Sequence, residues 1–196
     1  AKRLYIMVTR WDARLTFLVV LVSVLLANEL LWLFGRQYSE AFAPFIILAI
    51  SVFITTIPGP TGAFLQMTNR QRVDAINALV FFIISPLVQW LFVLWLGWIG
   101  VAVGVLVAAI LINALQVIEI KYFYKFHPFQ RDHLVFTILA TMVLVFCAMI
   151  SMEYALLYRI LILVGILAAF FVYIYFKRTP NDEMLLKMIL PKKWFS

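Results

Sequence analysis

The sequence predicts an all-α fold: a polytopic membrane helix bundle of about six transmembrane helices, followed by a short interfacial helix at the C-terminus. Three observations lead there. The chain is 66% hydrophobic and 13% charged, with a mean hydropathy of +1.05, whereas a soluble domain carries about 45–50% apolar and roughly 25% charged residues. Its apolar residues fall into six runs near the ~20 residues that cross a ~30 Å hydrocarbon core. Its basic residues alternate in density from one connection to the next. At 196 residues, six spans use almost the whole chain and leave no room for a soluble domain of any size.

The first run covers residues 15–34 and carries Asn28 and Glu29 near its far end. A polar link, Gly35 to Glu40, leads to a second run at 41–66, which is interrupted by Pro58-Gly59-Pro60. Two prolines around a glycine cannot continue a regular helix, so a break is expected between Ile57 and Gly62. Broken membrane helices are tolerated beside protein or water, and Thr55, Thr56 and Thr61 are at hand for the freed backbone groups. The third run, 75–96, contains Pro86 and is expected to kink there. Gly97-Trp98 turns the chain into the fourth run, 99–120, where Gly100, Gly104 and Ala108 form a small-residue ladder that lets two backbones approach closely. A basic, aromatic loop spans 121–133, and the fifth and sixth runs cover 134–152 and 155–176. The membrane bundle is thus expected over residues 1–176 and a cytoplasmic tail over 177–196. In the tail, Thr179 can cap a helix, Pro180 suits its first position, and Met184, Leu185, Met188 and Ile189 share one face.

Of the 16 Lys and Arg residues, only Arg36 and Arg159 fall in the connections assigned to the outer side; the other 14 fall on the opposite side. The positive-inside rule then places both ends in the cytoplasm, in a multi-pass protein of the cytoplasmic membrane. The same rule, with anionic lipid headgroups, accounts for the net charge of +7, and nucleic acid is not needed as a partner. The lone cysteine, Cys147, lies in an apolar run and forms no internal disulfide.

Catalytic chemistry has little to work with. His127 and His133 sit in the basic loop, no metal-ligand or phosphate-loop motif occurs, and neither an enzymatic activity nor a cofactor is expected. Polar groups inside lipid are costly and face a bundle interior or a wet cavity. Gln89 is the deepest, with Ser85 one turn before it; the pair either lines a path or bonds a neighbouring helix for packing. Asn113 and Gln116 lie within two turns of the basic end of the fourth run, and Glu119 is at the interface. Glu29 is the one acid placed to sit inside the bilayer, as an ion-coupling group or as a paired carboxylate.

Several of these segments also resemble a family. Phe34-Gly35-Arg36-Gln37-Tyr38-Ser39-Glu40-Ala41 looks like the FGxxYxxA segment of polysaccharide-biosynthesis (oligosaccharide) flippases, which belong to the multidrug/oligosaccharidyl-lipid/polysaccharide exporter superfamily. The stretch Leu65 to Arg72 resembles their next cytoplasmic loop, with Asn69 where glycine is usual and Arg72 in place of lysine. Trp98-Ile99-Gly100-Val101-Ala102 is similar to a glycine-alanine turn, and Pro180 to Leu186 to an acidic-then-leucine tail. The resemblance implies the C-terminal six helices of a protein that moves a lipid-linked oligosaccharide across the cytoplasmic membrane, with membrane lipids and its own missing N-terminal helices as partners. Arg70 and Arg72 at the cytoplasmic mouth would be first contacts for an anionic headgroup. The start at Ala1 fits an upstream portion lost from the chain. A cation-coupled multidrug exporter of the same superfamily and a non-transporting structural subunit are the other readings.

Overall fold

The computed structural model describes residues 2–126, 129 and 131–176. The expected tail helix, like His127, lies outside them. All regular elements among the described residues are helical.

The first helix, α1, runs Lys2–Leu25 and so begins well before the apolar run that starts at Leu15. Its length is about 36 Å at 1.5 Å per residue, enough to cross the core alone. Leu26 interrupts it, and α2 (Ala27–Phe34) leaves at 69° to α1. The expected straight span over 15–34 is therefore replaced by a longer helix and an elbow. The reason is chemical: Asn28 and Glu29 find partners sideways, on the last two helices, as described below. Past the elbow, Trp32, Leu33 and Phe34 are exposed, the composition of a helix lying at a membrane interface. Gly35, at φ 127°, turns the chain into a 3-10 segment, Arg36–Ala41.

The second expected span divides into α3 (Phe42–Thr56) and α4 (Thr61–Met67), with Ile57 to Pro60 outside both. The long hairpin that follows is α5 (Gln71–Leu96) and α6 (Ile99–Tyr124), joined through Gly97 at φ 61°. Helix α5 stays one element through Pro86, so the kink expected there does not divide it. The last two are α7 (Arg131–Glu153) and α8 (Leu156–Phe176). Five helical stretches are long and apolar enough to cross a membrane, and six if the bent α1–α2 pair counts as one.

Helix α1 is the centre. Its Phe17, Leu21, Val24 and Leu25 pack with Phe53 of α3, Phe136, Leu144 and Cys147 of α7 and Phe170 of α8. Helix α6 packs on the far side of α3, and α5 packs on α6. Only Asn77 and Ser85 of α5 are buried; Phe82, Leu87, Trp90, Leu94 and Trp95 are among the apolar side chains it presents outward, as lipid contact requires. The small-residue ladder faces α5: a side chain at Gly104 would sit 2.5 Å from the Cα of Gln89, and one at Gly100 would meet the Phe92 backbone. A second cluster, Tyr5, Phe64, Ile120 and Phe126, gathers α1, α4, α6 and the loop after α6 at one end of the bundle. The starts of α1, α5 and α7 and the ends of α4 and α6 share that end, which is rich in Lys and Arg and is called the basic end below.

Candidate functional site: the broken helix and the polar groups around it

Between Ile57 and Pro60 the backbone cannot hydrogen-bond in the helical pattern, because Pro58 and Pro60 have no N–H. Two freed carbonyls are nonetheless satisfied from other helices. The Tyr5 hydroxyl of α1 donates to Pro58 O at 2.5 Å, and His133 Nε2 of α7 donates to Ile57 O at 2.8 Å. Gly59 has φ 78° and lies so close to the Thr9 side chain that a Cβ could not fit. A break in apolar surroundings would otherwise leave carbonyls unpaired, at a cost of about 1–3 kcal/mol each. The chain meets that cost with the Tyr5 hydroxyl of α1 and with His133 in the first turn of α7.

Farther along α1, on a different face, Arg10 and Arg14 are both buried. They border a small cleft with Asp132, His133, Phe136 and Tyr173. The Arg14 guanidinium also lies over Trp11, at 5.5 Å, and Tyr173, at 6.0 Å. These two arginines read in the sequence as loop residues flanking a span. Periodicity does not mark them as inward-facing either, since Arg10 follows Thr9 by one position and lies about 100° around the helix from it.

On the other side of the break the polar groups are of opposite character. Thr55, Asp74, Asn77 and Gln116, with Ala78, Phe81, Ala109 and Ile112, line a cavity of ≈ 200 Å³ between α3, α5 and α6, open on one side. Thr61 Oγ1 donates to Gln116 Oε1 at 2.5 Å, tying the start of α4 to α6. Asn77 Nδ2 donates to Glu119 Oε2 at 2.6 Å, and Gln66 Nε2 donates to Asp74 Oδ2 at 2.7 Å. Asn113 Nδ2 reaches Ile54 O at 3.5 Å, in the last turn of α3. Gly62 packs close here as well: a side chain on it would meet Asp74 Oδ1 at 2.7 Å, and the carboxylate would have to shift. The basic loop adds an aromatic lid, with the Arg70 guanidinium 3.8 Å from the Phe123 ring centre and the Thr68 and Tyr124 hydroxyls hydrogen-bonded. Outside it, Asn69, Arg70, Gln71, Arg72 and Val73 border a wide polar hollow of ≈ 440 Å³.

The residues singled out in the sequence thus separate into three places. Gln116, with Asn113 beside it, belongs to the cavity at the break, together with Asp74 and Asn77, which the sequence reading did not single out. Arg70 and Arg72 precede Asp74 at the start of α5 and border the polar hollow. Gln89 and Ser85 lie apart: Gln89 Nε2 donates to Ser85 Oγ at 2.8 Å within α5, and the side chain is folded under Gly104. Glu29 is at the opposite end. Its carboxylate takes two hydrogen bonds from Arg159, NH2 to Oε1 at 2.6 Å and NH1 to Oε2 at 3.0 Å. Arg159 NH1 also donates to Leu25 O at 2.9 Å, so the guanidinium caps the α1 end of the elbow, and Asn28 Nδ2 donates to Ser151 O. Among the described residues, no group of three or more His, Cys, Asp or Glu side chains is placed to hold a metal.

No family model, curated protein or solved structure matches this chain.

Proposed function

We propose that the chain is the C-terminal part of a membrane flippase that moves a lipid-linked oligosaccharide or polysaccharide precursor from the cytoplasmic to the outer leaflet. The observation that carries this reading is the break in the second apolar stretch: α3 and α4 part at Ile57–Pro60 beside a cavity into whose largely apolar wall Thr55, Asp74, Asn77 and Gln116 bring polar groups. A sugar-phosphate headgroup cannot enter hydrocarbon without several kcal/mol for each unpaired polar group. A helix break with a wet flank gives such a headgroup hydrogen-bonding surface at membrane depth. Arg70 and Arg72, at the start of α5 shortly before Asp74, would draw the phosphate toward this region. The chain works in this reading without catalysis, in the cytoplasmic membrane, with the basic end in the cytoplasm and with a second helical bundle of the same protein opposite it.

A cation-coupled exporter of the same superfamily is the second reading. It is favoured by Asp74 and Glu119, two carboxylates beside the break that lack a basic partner among the described residues.

The test is to purify the full-length protein from its native membrane under mild conditions and identify the lipids that accompany it by mass spectrometry. Enrichment of a lipid bearing phosphate-linked sugars supports the flippase. Bulk phospholipid alone, in the proportions of the membrane, counts against it.

A further inference from the structure

We propose that the α5–α6 hairpin holds one resident phospholipid with a primary amine in its headgroup, of the phosphatidylethanolamine type, in the leaflet at the basic end. This lipid is a fixed part of the bundle and is not a transported one. The cavity between α3, α5 and α6 continues beyond its polar groups. Phe81 and Ile112 line it and also line a narrower apolar groove of ≈ 50 Å³, walled further by Val80 and Ile84 of α5 and by Ala108 and Leu111 of α6. The two hollows join into one amphipathic trough. On α5, Asp74, Asn77, Phe81 and Ile84 follow one helix face. That face passes from carboxylate to amide to apolar side chains, going from the basic end toward the middle of the helix.

The dimensions fit a lipid. From Asp74, in the first turn of α5, to Ile84 the helix rises about 15 Å, half of a ~30 Å hydrocarbon core. The trough therefore spans one leaflet, with its polar end at headgroup level and its apolar end near the midplane. It is open sideways, since Ile84 is 38% and Leu111 51% exposed, so an acyl chain enters from the bilayer without parting the helices. The charges choose the headgroup. Among the described residues lining the trough, Asp74 is the only ionisable one, and its hydrogen-bond partner is the neutral amide of Gln66. A carboxylate there repels an anionic headgroup and attracts an ammonium. Thr55 donates its hydroxyl proton to Val52 O at 2.7 Å, so toward the cavity it offers lone pairs. A primary ammonium carries three N–H donors for such acceptors, and a trimethylated one carries none. The phosphate of the same headgroup is balanced by Arg70 and Arg72, in the cap and first turn of α5. A zwitterionic lipid satisfies both signs of charge, whereas an anionic lipid satisfies the arginines alone.

Resident binding is measured without any glycan, so it stands or falls apart from the transport reading. The full-length protein, purified in detergent, is titrated with phosphatidylethanolamine, phosphatidylcholine or phosphatidylglycerol of identical acyl chains, and bound lipid is followed by native mass spectrometry. The first lipid is expected to bind about tenfold more tightly when it is phosphatidylethanolamine, the worth of one charge-assisted hydrogen bond. Asp74→Asn is expected to abolish that preference. Ile84→Trp, which fills the apolar part from an exposed position, is expected to weaken the first phosphatidylethanolamine about fivefold and serves if Asp74→Asn does not fold. Glu40→Gln, at the opposite end, is expected to change nothing. Equal affinity for the three lipids overturns the site, as does a preference for phosphatidylglycerol, or binding that both trough variants leave unaltered. A dimer that binds none of them would place a second copy over the trough and overturns it too. Each of these results leaves the test of lipid-linked sugar above standing.

Discussion

His133 and Ile57, 76 positions apart in the sequence, meet at 2.8 Å, and the ring nitrogen of α7 donates to a carbonyl oxygen that lost its helical partner when the Thr61 N–H turned to Gly59 O at the break. Tyr5 does the same for Pro58 from α1. The break is therefore an interlocked joint among three helices. Its neighbours determine what it can do: arginines, Asp132 and His133 on one side, carboxylates and amides on the other.

The joint predicts a specific double-mutant result. Gly59→Ala combines a positive φ, which costs a non-glycine residue roughly 1–2 kcal/mol, with a collision against Thr9. Thr9→Ala alone removes a hydroxyl bonded to its own helix at Tyr5 O and a buried methyl. The double variant should recover part of the collision term, because the Cβ of residue 9 stays 2.7 Å away, and none of the φ term. Unfolding in mixed micelles measures all three. Strict additivity of the single losses would show that the two residues do not touch.

At the opposite end, Arg159→Ala should be the most damaging charge removal among the residues described here. It strips Leu25 O of its donor and leaves Glu29 beside apolar surface. Removing one partner of a buried pair costs about 3–5 kcal/mol. Because the Glu29 side chain is 36% exposed, solvent screening brings the expected loss below that range, to about 2–3 kcal/mol. Glu29→Gln keeps an acceptor for the guanidinium and should lose about half as much or less. Equal losses for the two variants would remove Leu25 O from the account.

In the hairpin, the partner of Gln89 is Ser85 on its own helix. Gln89→Leu should therefore leave glycan export unchanged and alter stability by no more than about 0.6 kcal/mol, the mean for a hydrogen bond between membrane helices. Gly104→Val should lower protein abundance strongly, because it separates α5 from α6. Lost export at normal abundance in Gln89→Leu would return Gln89 to the substrate path.

Orientation is open to chemical labelling. With basic loops inside, cysteines at Ser39 and Glu153 should react with a membrane-impermeant reagent in intact cells, and cysteines at Asn69 and Gln130 should not. The native Cys147 is fully buried and gives little background. Labelling at Asn69 from outside would invert the topology.

Much of the frame was legible before any coordinates. Apolar run length and turn glycines marked α5, α6, α7 and α8, since lipid imposes a near-uniform hydrophobic length. The Pro58-Gly59-Pro60 interruption was legible for the same reason: missing donors are a local property. The elbow after Leu25 was not legible, because it depends on Arg159, 134 residues away. Arg10 and Arg14 read as topology anchors, since hydropathy does not distinguish a charge facing headgroups from one turned into the bundle. Asp74 sits in the first turn of α5, where acids commonly favour the helix dipole. Only the approach of α3 and α6 makes it the wall of a cavity.

The central claim is tested most directly in living cells. The full-length protein is depleted, and the share of lipid-linked glycan precursor reachable by an impermeant sugar-modifying probe added outside is measured. The account predicts that precursor accumulates on the cytoplasmic leaflet, that its outward-facing share falls, and that re-expression restores it. An unchanged distribution, with normal surface glycan after complete depletion, would contradict the flippase reading.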